Sequence, residues 1–296
     1  MTSPTLSLRS GVLLLLGVSV LFGANHVFAR LAFDNGASVA TAVSVRSFCT
    51  ALFLVGLLKF QGLALLPRPG LRLRAFGVGA LVALQSFCLY SAVKLIPVGL
   101  ALLVFQTVPI LYVLLSAATG SERIKPAAVV AMPVALVGLA LALNLRPDAL
   151  AQAWREMGAG VAWAFSAALC FAVVLYANAH WVRDVDGRVR TLIAMIVAAL
   201  ALSIAGAITG GHALPREAGG YAGLLLLTLF YGAGITSLFL VLPRLGGGAA
   251  STIALNSEPI AALLLAWIVL GQAIAPVQIF GALVVCAAIV YMAARK

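Results

Sequence analysis

Between short charged clusters the chain stays apolar for about 20 residues at a time, the length a helix needs to cross hydrocarbon. Ten such runs follow one another, at 10–31, 39–60, 75–95, 98–119, 126–146, 158–181, 190–210, 221–243, 249–270 and 276–294. Their apolar residues are continuous rather than alternating, which predicts helices and argues against a β-barrel. With 64% hydrophobic and 9% charged residues and a mean hydropathy of +1.14, these 296 residues cannot build a water-soluble surface. The chain therefore reads as an all-α integral membrane protein of ten transmembrane helices. Its loops are too short to hold an extramembrane domain.

The formal charge of +11 would suit nucleic acid if it gathered on one face. It falls instead between the apolar runs. With the N-terminus placed in the cytoplasm, thirteen cations lie inside: Arg9, Lys59, Arg68, Arg72, Arg74, Arg123, Lys125, Arg183, Arg188, Arg190, Arg244, Arg295 and Lys296. Five lie outside (Arg30, Lys94, Arg146, Arg155 and Arg216), and Arg46 falls within the second run. That asymmetry predicts a multi-pass protein with both termini cytoplasmic, and it removes nucleic acid as a partner. Arg9 and the run after it resemble a signal sequence, but nine further runs argue for a retained helix. Cys49, Cys88, Cys170 and Cys286 stand singly within runs, without metal-ligand or CxxC spacing, and read as packing residues. Gly246-Gly247-Gly248 lacks the following Lys-Ser or Lys-Thr of a phosphate-binding loop. No metal, cofactor or ATP is expected.

The chain also repeats itself. Shifted by 150 positions, residues 98–126 fall on 248–276 without a gap: Pro109 on Pro259, Pro126 on Pro276, and Gln106 on Asn256. A weaker match at a shift of 143 sets Gly17, Phe22 and Phe28 on Gly160, Phe165 and Phe171. Two units follow, 1–147 and 148–296, met at the polar segment Arg146–Met157. Each holds five runs, an odd number, so the second must enter the membrane upside down. The charges agree, because the loop after the fourth run carries Glu122, Arg123 and Lys125 while its counterpart Gly271–Ala275 carries none. Inverted halves with a twofold axis in the membrane plane supply two alternative gates around one central site, the layout of a transporter.

Pro109 and Pro259 fall near the middle of their runs, where a missing N–H frees the carbonyl four residues back, at Phe105 and Leu255. Such carbonyls need protein or water beside them, so the kinks should face a cavity. Gln106 and Asn256, three residues before these prolines, share that face. Two carboxamides near the midplane mark the expected substrate site, with helix-to-helix hydrogen bonding as the plainer alternative. Glu258 is the acid deepest in a run, and it should be paired, protonated or wetted, because a charged carboxylate at the bilayer centre costs at least ~2.5 kcal/mol. Substrate contact, proton coupling and a structural ion pair compete for it. Arg46 is the cation deepest in a run, a structural partner or the seat of a substrate carboxylate. His26 is a candidate proton carrier or a helix-linking donor. Asn25, Gln85, Asn178 and Ser257 add neutral polar groups to runs 1, 3, 6 and 9.

The same residues carry a family resemblance. Arg46 with Ala51, Pro109, Ser121-Glu122-Arg123-Ile124 and Gly138 stand in the first unit; Glu258-Pro259-Ile260-Ala261-Ala262, Leu270-Gly271-Gln272, Pro276 and Gly281 stand in the second. In order and spacing the chain resembles an EamA-type transporter of the drug/metabolite transporter superfamily, and within it bacterial exporters of aromatic amino acids. It departs at Gln272, where the family usually carries Glu. The resemblance implies ten helices in two inverted repeats, a place in the bacterial inner membrane, and a cavity lined by helices 1, 3, 4, 6, 8 and 9. Aromatic residues on those runs are Phe22, Tyr90, Phe105, Trp163, Phe165, Tyr176 and Tyr231. Each could wall a ligand, or pack a helix, or sit in an interfacial belt.

The expectation is a secondary exporter of small neutral amino acids by alternating access, with the bilayer and a small-molecule substrate as partners and protons as a candidate coupling ion. The oligomeric state, monomer or homodimer, is left open. A multidrug or other metabolite exporter on the same fold, or a proton-coupled antiporter, is the alternative. Phosphorylated substrates would want more cations than Arg46. A channel would conduct without saturating. Intramembrane hydrolysis would need paired His or Asp within the runs, which are absent there.

Overall fold

A computed structural model describes residues 8–121, 124–143, 150–241, 257–273 and 275–294. Among the described residues the fold is helical: α1 Leu8–Asp34, α2 Val39–Phe60, α3 Pro69–Leu95, α4 Val98–Phe105, α5 Val108–Ala118, α6 Pro126–Ala142, α7 Leu150–His180, α8 Gly187–Thr209, α9 Ala218–Val241, α10 Glu258–Leu270 and α11 Pro276–Ala294. Among the described residues, seven spans are long and apolar enough to cross a membrane, with α4 and α5 counted together as Val98–Ala118; Pro126–Ala142, Glu258–Leu270 and Pro276–Met292 are shorter apolar helices.

Local chemistry sets the helix ends. Ser38 caps α2 by accepting from the Thr41 N–H at 3.1 Å, and Asp186 caps α8 by accepting from the Arg188 N–H at 2.8 Å. Gly210 and Gly271 close α8 and α10 in the left-handed conformation, at φ +63° and +64°. The segment from Leu150, expected to be a polar link up to Met157, is already part of α7.

The fourth run is not one kinked helix. It breaks at Gln106 and Thr107, and Pro109 falls in the first turn of α5. The proline ring excludes the Phe105 carbonyl from its ordinary bond, so the chain tightens instead. The Thr107 N–H donates to the Val104 carbonyl at 3.1 Å, and the Thr107 hydroxyl donates to the same oxygen at 2.9 Å. Pro259 likewise sits in the first turn of α10 rather than mid-helix, the position where a missing N–H costs least.

Lipid offers no hydrophobic drive between helices, so close backbone approach and buried polar contacts must hold the bundle. α1 packs on α9, α3 on α7, α2 and α3 on α8, α6 on α11, and α10 on α1 and α4. Gly281 shows how close these contacts are: a Cβ there would overlap the Ala142 backbone and the Gly138 carbonyl, while one on Gly138 would lie 2.9 Å from the Val285 nitrogen. Since 138 faces 285 and 142 faces 281, α6 and α11 run antiparallel. The large side chains of Tyr90, Leu102, Leu192, Leu227 and Ile289 are wholly buried, whereas Phe48, Leu52, Val129, Trp267 and Ile268 point outward where acyl chains would lie.

Connections meet at the two ends of the bundle. At one end the Ser38 N–H donates to the Ala213 carbonyl (3.0 Å), the Arg216 N–H to the Asn35 carbonyl (2.9 Å) and the Val98 N–H to Gln272 Oε1 (3.3 Å). Arg30 closes α3 there by donating to the Val93 and Ile96 carbonyls at 3.2 and 3.1 Å. At the other end Arg188 donates to Gln61 Oε1 at 2.5 Å, and the hydroxyls of Ser121 and Tyr176 meet at 2.8 Å.

Candidate functional site

Five helices bring polar side chains to one buried cluster. α1 supplies Asn25 and His26, α2 supplies Arg46, α3 supplies Ser86 and Tyr90, α9 supplies Tyr231, and α10 begins with Glu258. Ser86 and Tyr90 stand one helical turn apart, on one face of α3, and both accept from the Arg46 guanidinium. Arg46 Nη1 donates to Tyr90 Oη at 3.0 Å and Nη2 to Ser86 Oγ at 3.2 Å. The ring of Tyr231 covers the guanidinium at 4.0 Å and that of Tyr90 lies at 4.8 Å.

Tyr90 extends the network to α1. Its hydroxyl lies 2.7 Å from the Asn25 carboxamide, which, turned with its nitrogen toward α9, also donates to the Leu227 carbonyl at 3.1 Å. The His26 ring lies 5.5 Å from that of Tyr90, and His26 Nε2 lies 3.4 Å from Glu258 Oε1. Phe22 adds an edge-on contact to Tyr231 at 6.1 Å. The cluster is layered. Asn25, His26, Arg46 and Tyr90 are buried, while Phe22, Tyr231 and Glu258 are half-buried in front of them.

Charge makes the cluster costly to hold. Arg46 is 2% exposed, and among the described residues no carboxylate reaches it. Phenol, hydroxyl and ring faces offset its desolvation, a cation over an aromatic face giving about 2 kcal/mol when desolvated. The cluster's acid instead sits at the first position of α10, where the helix dipole favours a negative charge, and pairs with His26. Two polar atoms remain unpartnered in the buried layer among the described residues, Arg46 Nε and His26 Nδ1.

The remaining expected residues scatter. Gln85 is buried on α3 beside Ser86. Gln106 occupies the turn between α4 and α5, and Asn256 lies outside the described residues, as does any meeting of the two. Ser257 immediately precedes α10. Trp163 packs edge-on against Phe87 at 5.7 Å and is 37% exposed on α7, away from the cluster. Asn178 lies near the far end of α7, where its carbonyl accepts from Arg190 at 3.3 Å. Ser86 was missed by sequence reasoning, although its place one turn before Tyr90 was a usable signal. Gln272, the departure from the family pattern, spans the two units by capping α4 through Val98; its carboxamide oxygen supplies the acceptor a Glu would offer.

The model of the EamA-like transporter family matches the chain twice, over residues 9–144 and 158–294. The chain belongs to the EamA-like transporter family. It is thus a multi-pass membrane transporter of small molecules, from a family of transporters rather than enzymes. Among 14 matching solved chains, one described only as "Crystal structure of protein" is 21% identical, covers 98% of this chain and 99% of its own, and superimposes with a TM-score of 0.65. That likeness extends the shared fold over the whole EamA-like chain. No curated protein matches it.

Proposed function

We propose that this EamA-like protein is a secondary exporter of small neutral amino acids, aromatic and hydrophobic ones foremost, working by alternating access in a bacterial cytoplasmic membrane. The observation that carries the reading is the cluster built jointly by α1, α2, α3, α9 and α10. It sets a buried cation and neutral hydrogen-bonding groups beside the rings of Phe22, Tyr90 and Tyr231. An amino acid asks for that combination: donors for its carboxylate, acceptors for its ammonium and a flat apolar wall for its side chain. Gln106 and Asn256 would complete the acceptors at the midplane.

Ten spans in inverted halves, 1–147 and 148–296, fit the packing. Exchanging each helix for its repeat counterpart turns the α1–α9 contact into the α7–α3 contact, and it maps the α2–α8 and α6–α11 contacts onto themselves. Connections after α1, α3, α8 and α10 gather at one end, which charge asymmetry makes the outer one; the termini are then cytoplasmic.

The test is counterflow in proteoliposomes, with labelled amino acids entering vesicles preloaded with the same unlabelled compound. Saturable uptake absent from empty liposomes supports the reading. Silence across the panel, with the folded protein confirmed, overturns it in favour of another metabolite or drug. A second reading, proton antiport, is favoured by the His26–Glu258 contact at 3.4 Å, which places two titratable groups on helices of opposite halves.

A further inference from the structure

Resting on the amino-acid reading of the same cluster, we infer that the Arg46 guanidinium is the seat of the substrate carboxylate and that the Tyr231 ring covers it until that carboxylate arrives. Of the five guanidinium N–H bonds, one on Nη1 serves Tyr90 and one on Nη2 serves Ser86. Nε is buried and has no partner among the described residues. The rings of Tyr231 and Tyr90 lie over the cation, but a ring face satisfies charge and leaves an edge N–H unbonded. What Arg46 lacks is an in-plane anionic acceptor, and a planar carboxylate meets an arginine edge in that way.

The surroundings narrow the ligand further. A phosphate dianion would ask for a second cation. Among the described residues the groups in contact with Arg46 are the neutral ones of Tyr90, Ser86 and Tyr231, so one negative charge balances the cation. The protein's own candidate, Glu258, is engaged with His26 instead. Tyr231, half-buried over the fully buried cation, is the more exposed of the two rings that face it. A turn of that ring trades a cation–ring contact for a charge–charge contact, so the substrate itself supplies the drive to uncover the site.

The experiment follows thermal unfolding of the full chain, purified in detergent, against phenylacetate, phenylacetamide and phenethylamine at matched ionic strength. Phenylacetate should raise Tm saturably, and the amide and the amine should not. Arg46→Gln should weaken the response by on the order of a hundredfold, Arg46→Lys should keep part of it, and Tyr231→Ala should strengthen it by removing the cover. Should Arg46→Gln fail to fold, the acid-against-amide comparison on the unmutated chain and the Tyr231→Ala variant still decide. An equal response to acid and amide, or one untouched by Arg46→Gln, overturns the assignment. The two readings fail separately. Amino-acid counterflow with no preference for the acid sinks the Arg46 seat alone, whereas phenylacetate binding that depends on Arg46 without amino-acid counterflow sinks the amino-acid reading alone.

Discussion

Glu258 and His26 meet across the two halves with one oxygen and one nitrogen 3.4 Å apart, and each is neutral or charged according to a single proton. Arg46, Tyr90 and Tyr231 are the other charged or titratable groups of the described cluster, and Arg46 keeps its charge at any working pH. A proton added to the pair must therefore sit on Glu258 or His26. Glu258→Gln removes the acid while keeping its shape. The expected outcome is that uptake driven by an imposed pH gradient falls to the level of empty liposomes while counterflow survives; a pH-driven signal equal to that of the unmutated chain would remove Glu258 from coupling. Gln106→Ala and Asn256→Ala should each depress counterflow with insertion intact, as judged by membrane yield, and normal counterflow in both would retire the midplane carboxamides. Much of this cluster was legible residue by residue, because Arg46, Glu258, His26 and Asn25 each stand out against an apolar run. Which of them touch was not. Contact depends on the register between helices far apart in the chain, and no local pattern encodes it. Trp163 was equally undecided, since a ring facing lipid and a ring lining a cavity read alike.

Helix ends belong to the next scale. Proline and glycine announced several of them, and Pro109 announced a disturbance in its run. The clean break at Gln106–Thr107 was not announced, because Thr107 has to turn its own hydroxyl back onto Val104 to close it. Asp186, the cap of α8, offers a measurable case. Its hydrogen bonds with Arg188 hold its carboxyl below the usual aspartate range. A lowered value in the folded state means that the cap stabilises fully above that range and loses its contribution as pH falls through the folded value. The half-exposed setting keeps the effect small. Asp186→Ala should cost about 1 kcal/mol at neutral pH and show a smaller loss of Tm on acidification than the unmutated chain. Equal acid sensitivity in both would place the pH response elsewhere.

At the scale of the molecule, the proposed alternating access gives a mechanical meaning to the end where the α1–α2 connection meets the segment after α8. Ser38 and Ala213 join the α1–α2 connection to the segment after α8 through one backbone bond of 3.0 Å. If that end must open in the transport cycle, a bridge between Ser38→Cys and Ala213→Cys, in a background with Cys49, Cys88, Cys170 and Cys286 replaced, should stop counterflow until a reductant restores it. Unchanged counterflow with the bridge formed would mean that this end stays shut throughout. The apolar runs foretold a helical fold and the internal repeat foretold a family match that occurs twice, since hydropathy and proline spacing are local properties. The Ser38–Ala213 contact depends on loops meeting in space, beyond the reach of either signal.

Arg46 has a history as well as a place. When α2 is synthesised, only its immediate chain exists, and Ser86 and Tyr90 follow within the next hairpin. Tyr231 emerges 185 residues after Arg46, on the order of 10 s later at the ordinary pace of translation. Through that interval the guanidinium is in the membrane without the ring that covers it. The first half, made alone, would hold this cation against Ser86 and Tyr90 but never under Tyr231, so the second half would be a partner in biogenesis before it is a partner in transport.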